Sequence, residues 1–145
     1  ASPFRFSEAG RDFMYRKLIP EIKKAGFEII DPWKLTDQQY IQDIIDSIAI
    51  IVEYTKGMEY DDLIEDRKTV DAVVRNLEII GEAANQMSKK VKDQYVDIPW
   101  EKMVSMRNKV IHEYSGIDLQ ILWQTIKEDL PDLRERIKKV KTETI

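Results

Sequence analysis

The sequence has no cysteine and a single histidine, and no apolar run approaches the roughly 18 residues that span a bilayer. The first absence removes disulfides, thiolate metal sites and cysteine nucleophiles together, and agrees with a reducing compartment. The second limits acid–base chemistry, because one imidazole does not serve as acid and base at once. The third, with no basic and apolar leader at the N-terminus, sets the expectation of a soluble, cytoplasmic chain with no membrane partner. Repeats and low-complexity runs are also missing. What is present is 145 residues, 43% hydrophobic and 34% charged, enough to bury one core of ordinary size.

The formal net charge of −4 is unevenly spread. Residues 37 to 85 carry four basic and twelve acidic side chains, whereas residues 86 to 111 carry six basic (Lys89, Lys90, Lys92, Lys102, Arg107, Lys109) and three acidic. An acidic chain binds polyanions poorly, yet a local positive island is able to position a single phosphodiester. The plain alternative is a solvated helix end.

Two textures follow one another along the chain. In residues 1–36, Ser7 is placed to cap a helix from Glu8 to about Lys24 with Phe13, Leu18, Ile19 and Ile22 on its apolar side. Pro20 should kink or divide that helix, and Phe27 to Ile30 reads as a short strand. From Asp37 onward the period is helical. Ile41, Ile44, Ile45, Ile48 and Val52 make one stripe of a helix ending near Thr55, whose other side is acidic. A second helix is expected from Arg67 to Tyr95, with Gly81 marking close helix contact and Arg75, Asn76, Glu78 and Glu82 embedded in its apolar pattern. Asp97-Ile98-Pro99-Trp100 should open a third, with the acid as its cap, running to about Tyr114. A fourth spans Leu119 to about Val140, capped by Asp118 and either kinked near its middle by Pro131 or restarted at Asp129, with Leu122, Trp123, Ile126, Leu130, Leu133 and Ile137 inward. Short connections favour antiparallel neighbours in an up-and-down four-helix bundle.

The stretch that can carry chemistry is Arg107-Asn108-Lys109-Val110-Ile111-His112-Glu113-Tyr114. At about 100° per residue on a helical wheel, Met103, Val104, Val110, Ile111 and Tyr114 fall within about 60° of Arg107, whereas Asn108 and His112 point about 100° and about 140° away. Arg107 is thus expected in the middle of an apolar face, where a charge needs a partner; Glu78 and Glu82 are the candidates for a buried bridge. The functional reading of the same residues is a phosphate site. Arginine supplies planar cationic donors, histidine titrates near neutrality, and asparagine and tyrosine orient the group attacked. Lys102 and Lys109 are candidates for positioning the phosphate. A two-fold dimer apposing the third helices would bring two histidines together, a geometry suited to RNA cleavage through the 2′-hydroxyl without a metal.

Residues 37–145 resemble HEPN-domain proteins of the HepT toxin type. The features that carry the resemblance are Arg75-Asn76-Leu77-Glu78-Ile79-Ile80-Gly81-Glu82-Ala83, Ile98-Pro99-Trp100, Met106-Arg107-Asn108 through His112-Glu113-Tyr114, Asp118-Leu119 and Trp123. The resemblance implies a mainly α, antiparallel four-helix HEPN domain and an endoribonuclease toxin working at a homodimer interface. Arg107 and His112 would be catalytic and Asn108 supporting. Tyr114 would be the residue on which a partner minimal nucleotidyltransferase, the antitoxin, places AMP to silence the toxin. RNA is the implied substrate, and no cofactor or metal is expected. A non-catalytic helical partner of such a nucleotidyltransferase is the alternative reading, and the acidic first helix suits it.

Ala1-Ser2-Pro3-Phe4, Phe6-Ser7-Glu8-Ala9 and Gly26-Phe27-Glu28-Ile29-Ile30-Asp31-Pro32-Trp33 resemble the start of nucleoside 2-deoxyribosyltransferase-like proteins. A helix and one strand close neither a sheet nor a nucleoside pocket. Residues 1–36 are therefore read as a short helix-strand appendage or fusion remnant, with a contribution to nucleoside chemistry as the remaining alternative.

Overall fold

The structure, a computed structural model, describes residues 12–27, 36–112 and 116–140, His112 by its backbone alone. It is mainly helical and divides into two compact units, Ala1–Lys34 and Leu35–Ile145. In the first, a widened π-helical segment, Met14–Leu18, runs on into α1, Ile19–Lys24. Pro20 explains the widening. It has no N–H to donate, and its ring crowds the carbonyl four residues back, so the Ile19 N–H reaches Met14 instead. Phe13 and Leu18 on the expected apolar side are exposed. Of the expected strand, Phe27 is exposed and not extended into a ladder, and Glu28 to Ile30 lie outside the described residues, as does the Ser7 cap.

The second unit begins with α2, Asp37–Tyr54. The Thr36 hydroxyl accepts from the Gln39 N–H at 3.2 Å while the Gln39 amide oxygen accepts from the Thr36 N–H at 2.8 Å, a reciprocal cap. The buried line is Tyr40, Ile41, Ile44, Ser47, Ile48 and Ile51, so the stripe turns slightly from the expected one: Ile45 and Val52 are only half-buried. After α3, Tyr60–Glu65, Asp66 caps α4, Arg67–Gln86. Its carboxylate takes the Thr69 N–H at 3.1 Å and the Thr69 hydroxyl at 2.7 Å, and these bonds hold the Asp66 carboxyl below its ordinary range.

The sequence pattern carries α4 on to Tyr95, but the helix ends at Gln86 and α5, Lys89–Gln94, starts afresh. Ser88 is the reason. Its hydroxyl caps the Val91 N–H, and its own N–H and hydroxyl donate to the two oxygens of Asp37 at 2.9 and 2.6 Å. The break in one helix is thereby latched to the first turn of another.

Helix α6, Trp100–Val110, starts on Pro99 with no side-chain cap; Asp97, expected to cap it, instead offers its backbone carbonyl to Arg136. The helix also stops four residues short of Tyr114. The Val110 carbonyl, which a continuing helix would bond to the N–H four residues on, accepts from the Asp118 N–H at 2.7 Å. Ile111–His112 (β1) and Gly116–Ile117 (β2) form a two-residue antiparallel pairing, Ile111 opposite Ile117 and His112 opposite Gly116. Gly116 supplies the left-handed backbone, φ +81°, that brings the chain back. Asp118 then caps α7, Leu119–Gln124, which widens through a π-helical segment, Thr125–Asp129, into α8, Leu130–Ile137. Pro131 sits just beyond the widened turn, the arrangement seen at Pro20. Trp123, expected inward, is half-buried, with Tyr60 edge-on to its ring and the Lys127 ammonium 4.4 Å from its centre.

One core joins α2, α4, α6 and the α7–α8 run. Its tightest contact is at Gly81, in the middle of α4, where a Cβ would lie 3.2 Å from the Met103 carbonyl oxygen and 3.3 Å from that of Val104. Among the described residues no helix is long and apolar enough to cross a membrane. Helix propensity alone would make Gly81→Ala stabilising by about 1 kcal/mol. Because the new methyl presses on two backbone carbonyls of α6, we expect the sign to reverse and the Tm to fall, which thermal unfolding followed by circular dichroism will show.

Candidate functional site

Arg107 lies in the last turn of α6, and the sequence pattern put it at the centre of that helix's apolar face. The buried face is instead Trp100, Met103, Met106 and Val110; Val104 and Arg107 stand on its exposed edge. Arg107 projects into a cleft of ≈ 640 Å³ bounded by α2, α4 and α6, which Asn108 also lines. Across it stand Arg75, Glu78 and Glu82 of α4 and Asp43 of α2.

Of the two carboxylates that the sequence offered to Arg107, the structure selects Glu78. The Arg107 Nε–H donates to Glu78 Oε1 at 2.9 Å. The other carboxylate oxygen, Oε2, lies 3.4 Å from Nη1 of Arg75. The pair is not buried as expected: the Arg107 side chain is 47% exposed and that of Glu78 32%. Hydrogen bonding from Arg107 is the main reason that the Glu78 carboxyl is held below its ordinary value, with the charges of Arg107 and Arg75 adding to it and partial burial opposing it. Among the described residues the two terminal nitrogens of Arg107 have no partner.

The other sequence candidates separate. Lys102 and Lys109 line a different and smaller groove, ≈ 180 Å³, between α6 and the α7–α8 run, where Glu128, Asp129 and Asp132 face them. They are not brought to Arg107. The basic island of residues 86–111 therefore does not converge: Lys89 pairs with Asp93, Lys92 reaches the Asn85 carbonyl, and Arg107 is the one basic residue of the six that lines the cleft. His112 lies beyond the end of α6, on the two-residue pairing with Gly116, so the helical wheel does not apply to it. Its side chain, and Tyr114 entirely, lie outside the described residues. Among the described residues no group of three His, Asp or Glu side chains stands close enough to hold a metal ion.

Asp43 and Tyr40 line the cleft without having been singled out in the sequence. Asp43 was indistinguishable there from the other acids on the outer side of α2, and Tyr40 falls one residue before the isoleucine stripe. A cleft formed by three helices leaves no local signal on the helix that contributes least to it.

A family model described as Ribonuclease HepT-like matches residues 44–140 of this chain. The "Probable ribonuclease HepT" of Thermococcus cleftensis is 41% identical over 74% of this chain and 98% of its own length. A protein of Caldanaerobacter subterraneus subsp. tengcongensis named "Putative RNase" is 34% identical over 72% of this chain and 94% of its own. A Methanocaldococcus jannaschii protein named "Gamma-glutamylcyclotransferase and putative RNase" is 39% identical over 72% of this chain but only 47% of its own. No solved structure matches.

Because the folded-state pKa of Glu78 lies below its ordinary 4.5, the stability that the Arg107 pair contributes is present above that pH and is lost as the pH falls through the folded value. We expect wild type to have a higher Tm than Glu78→Gln at neutral pH, with the difference closing as the pH drops below 4.5; Tm against pH for the two proteins checks this.

Proposed function

The chain belongs to the HepT-like ribonuclease family, and from that premise we propose that it is the endoribonuclease toxin of a toxin–antitoxin pair. It cleaves RNA without a metal at a homodimer interface and is silenced when a partner nucleotidyltransferase adds AMP to Tyr114. The observation that supports this reading best is the state of Arg107. It is a half-exposed guanidinium on a cleft wall, bonded at Nε and with its two terminal nitrogens unpartnered among the described residues. Those nitrogens suit two oxygens of a phosphodiester.

In the mechanism, His112 acts as general base on the 2′-hydroxyl or as general acid on the leaving 5′-oxygen, and Arg107 stabilises the charge that develops on the phosphorane. The 2′-oxygen forms its bond to phosphorus as the bond to the 5′-oxygen breaks, leaving a 2′,3′-cyclic phosphate. Asn108, on the same cleft, assists in orienting the phosphate. Each protomer has one histidine, so acid and base at one site require the second protomer, with the C-terminal ends of the two α6 helices facing each other. AMP on Tyr114 adds bulk and negative charge beside the same site and repels RNA. The fold that carries this is an antiparallel up-and-down four-helix bundle of α2, α4, α6 and the α7–α8 run. Residues 1–36 are an appendage to it.

In a nuclease-free assay with EDTA, the wild-type protein is expected to cleave RNA and leave 2′,3′-cyclic phosphate ends. His112→Ala and Arg107→Ala should each lose about a hundredfold or more in rate. Equal cleavage by His112→Ala and wild type would exclude the mechanism. Co-expression with a candidate nucleotidyltransferase, followed by peptide mass spectrometry, should find AMP on Tyr114; modification at another residue only would remove the silencing step.

A further inference from the structure

The pairing of Glu78 with Arg107 is fixed by backbone. Glu78 lies one helical turn before Gly81 on α4, and Arg107 lies one turn after Val104 on α6. At Gly81 the two helices approach until a Cβ would stand 3.3 Å from the Val104 carbonyl oxygen. The crossing leaves little room to slide, so it sets Glu78 opposite Arg107 at one register. A half-exposed ion pair of this kind adds little to stability, yet its geometry is specific. The carboxylate takes the Nε edge of the guanidinium and leaves the terminal fork open, whereas a carboxylate competing with phosphate would sit on the fork itself. Arg75 stands beside the second carboxylate oxygen, 3.4 Å from it, so Glu78 lies between two guanidinium groups on the cleft wall.

We propose that Glu78 is a positioning residue of the site: its carboxylate clamps Arg107 through Nε, with Arg75 beside its second oxygen, so that the terminal nitrogens of Arg107 are held ready for the phosphodiester. This rests on the ribonuclease reading above. Glu78 itself touches neither the phosphate nor the 2′-hydroxyl. It acts by removing the rotations of a long side chain before substrate arrives, so its loss is felt in the transition state more than in ground-state binding.

The test uses the full-length chain with Glu78→Ala, Glu78→Gln and, as a control that removes an ordinary surface ion pair, Asp71→Asn. Two readouts are taken: kcat and KM for cleavage of a short RNA in EDTA, and the Nε–Hε signal of Arg107 in nitrogen-15 NMR, assigned by its loss in Arg107→Lys. Glu78→Ala should lower kcat about tenfold or more with a smaller change in KM, and should shift the Nε–Hε signal. Glu78→Gln keeps an oxygen acceptor at the same reach, so it should restore most of kcat and of the signal, and Asp71→Asn should match wild type. If Glu78→Ala cleaves at the wild-type rate or faster while His112→Ala is dead, Glu78 is a bystander or a competitor and the proposal falls alone. If wild type and His112→Ala are equally inert, the ribonuclease reading falls and takes the proposal with it. An Arg107 signal unchanged in Glu78→Ala also overturns the clamp.

Discussion

The contact on which the rest of the second unit depends is the backbone approach of α4 and α6 at Gly81. Side-chain packing between helices tolerates exchange of one apolar group for another of similar volume. A helix face set against two carbonyl oxygens of its neighbour does not, because there is no side chain to rearrange. That contact places Leu77, Ile80 and Ala84 of α4 in one buried cluster with Met103, Met106 and Val110 of α6. It also decides which polar residues meet at the rim. Glu82, one residue beyond Gly81 and bearing the same side chain as Glu78, lines the same cleft but forms no bond with Arg107. Register, more than charge, selected the partner.

The acidity of residues 37–85 looks in the sequence like a solvated face, and some of it is: Asp61 and Glu65 are exposed. Other carboxylates hold the architecture. Asp37 latches the start of α2 to Ser88, Asp66 caps α4, and Glu78 holds Arg107. Asp118, further on, caps α7. Each accepts from a donor that would otherwise go unpaired at a helix end or on the cleft wall. The negative balance is therefore partly a by-product of how the helices are begun and joined, and it weakens any argument from net charge alone to a basic partner.

The sequence was legible where side-chain periodicity decides the outcome. The stripe of α2, the close approach at Gly81 and the cap at Asp118 all come from patterns longer than one residue. It was misleading where a single backbone group decides. Val91 continues the apolar spacing of α4, so nothing in the period signals that Ser88 starts a new helix; the cause is an aspartate 51 residues away. Ile111 likewise continues the spacing of α6, yet the Val110 carbonyl bonds to Asp118 across a glycine turn. The site inherited that error. Its residue types were readable, but the wheel that placed Arg107, Asn108 and His112 assumed a helix that stops before His112.

The correction changes what kind of site this is. Arg107 and Asn108 are carried by a helix packed into the core, and Arg107 is further fixed by Glu78. His112 is carried by a two-residue ladder closed by Gly116 and by the Asp118 N–H on Val110. In the proposed mechanism the group that stabilises charge thus stands on a helix packed into the core, and the group that moves protons stands on the two-residue ladder beyond it. That division suits the two tasks. Electrostatic stabilisation depends on dipoles and charges that need no reorganisation. Proton transfer needs the imidazole to come within hydrogen-bond reach of an oxygen that, in the proposed dimer, a second protomer would help to place. A dimer that apposes the α6 ends would adjust the second support while the first, held from behind at Gly81 and Glu78, stays where the single chain has put it.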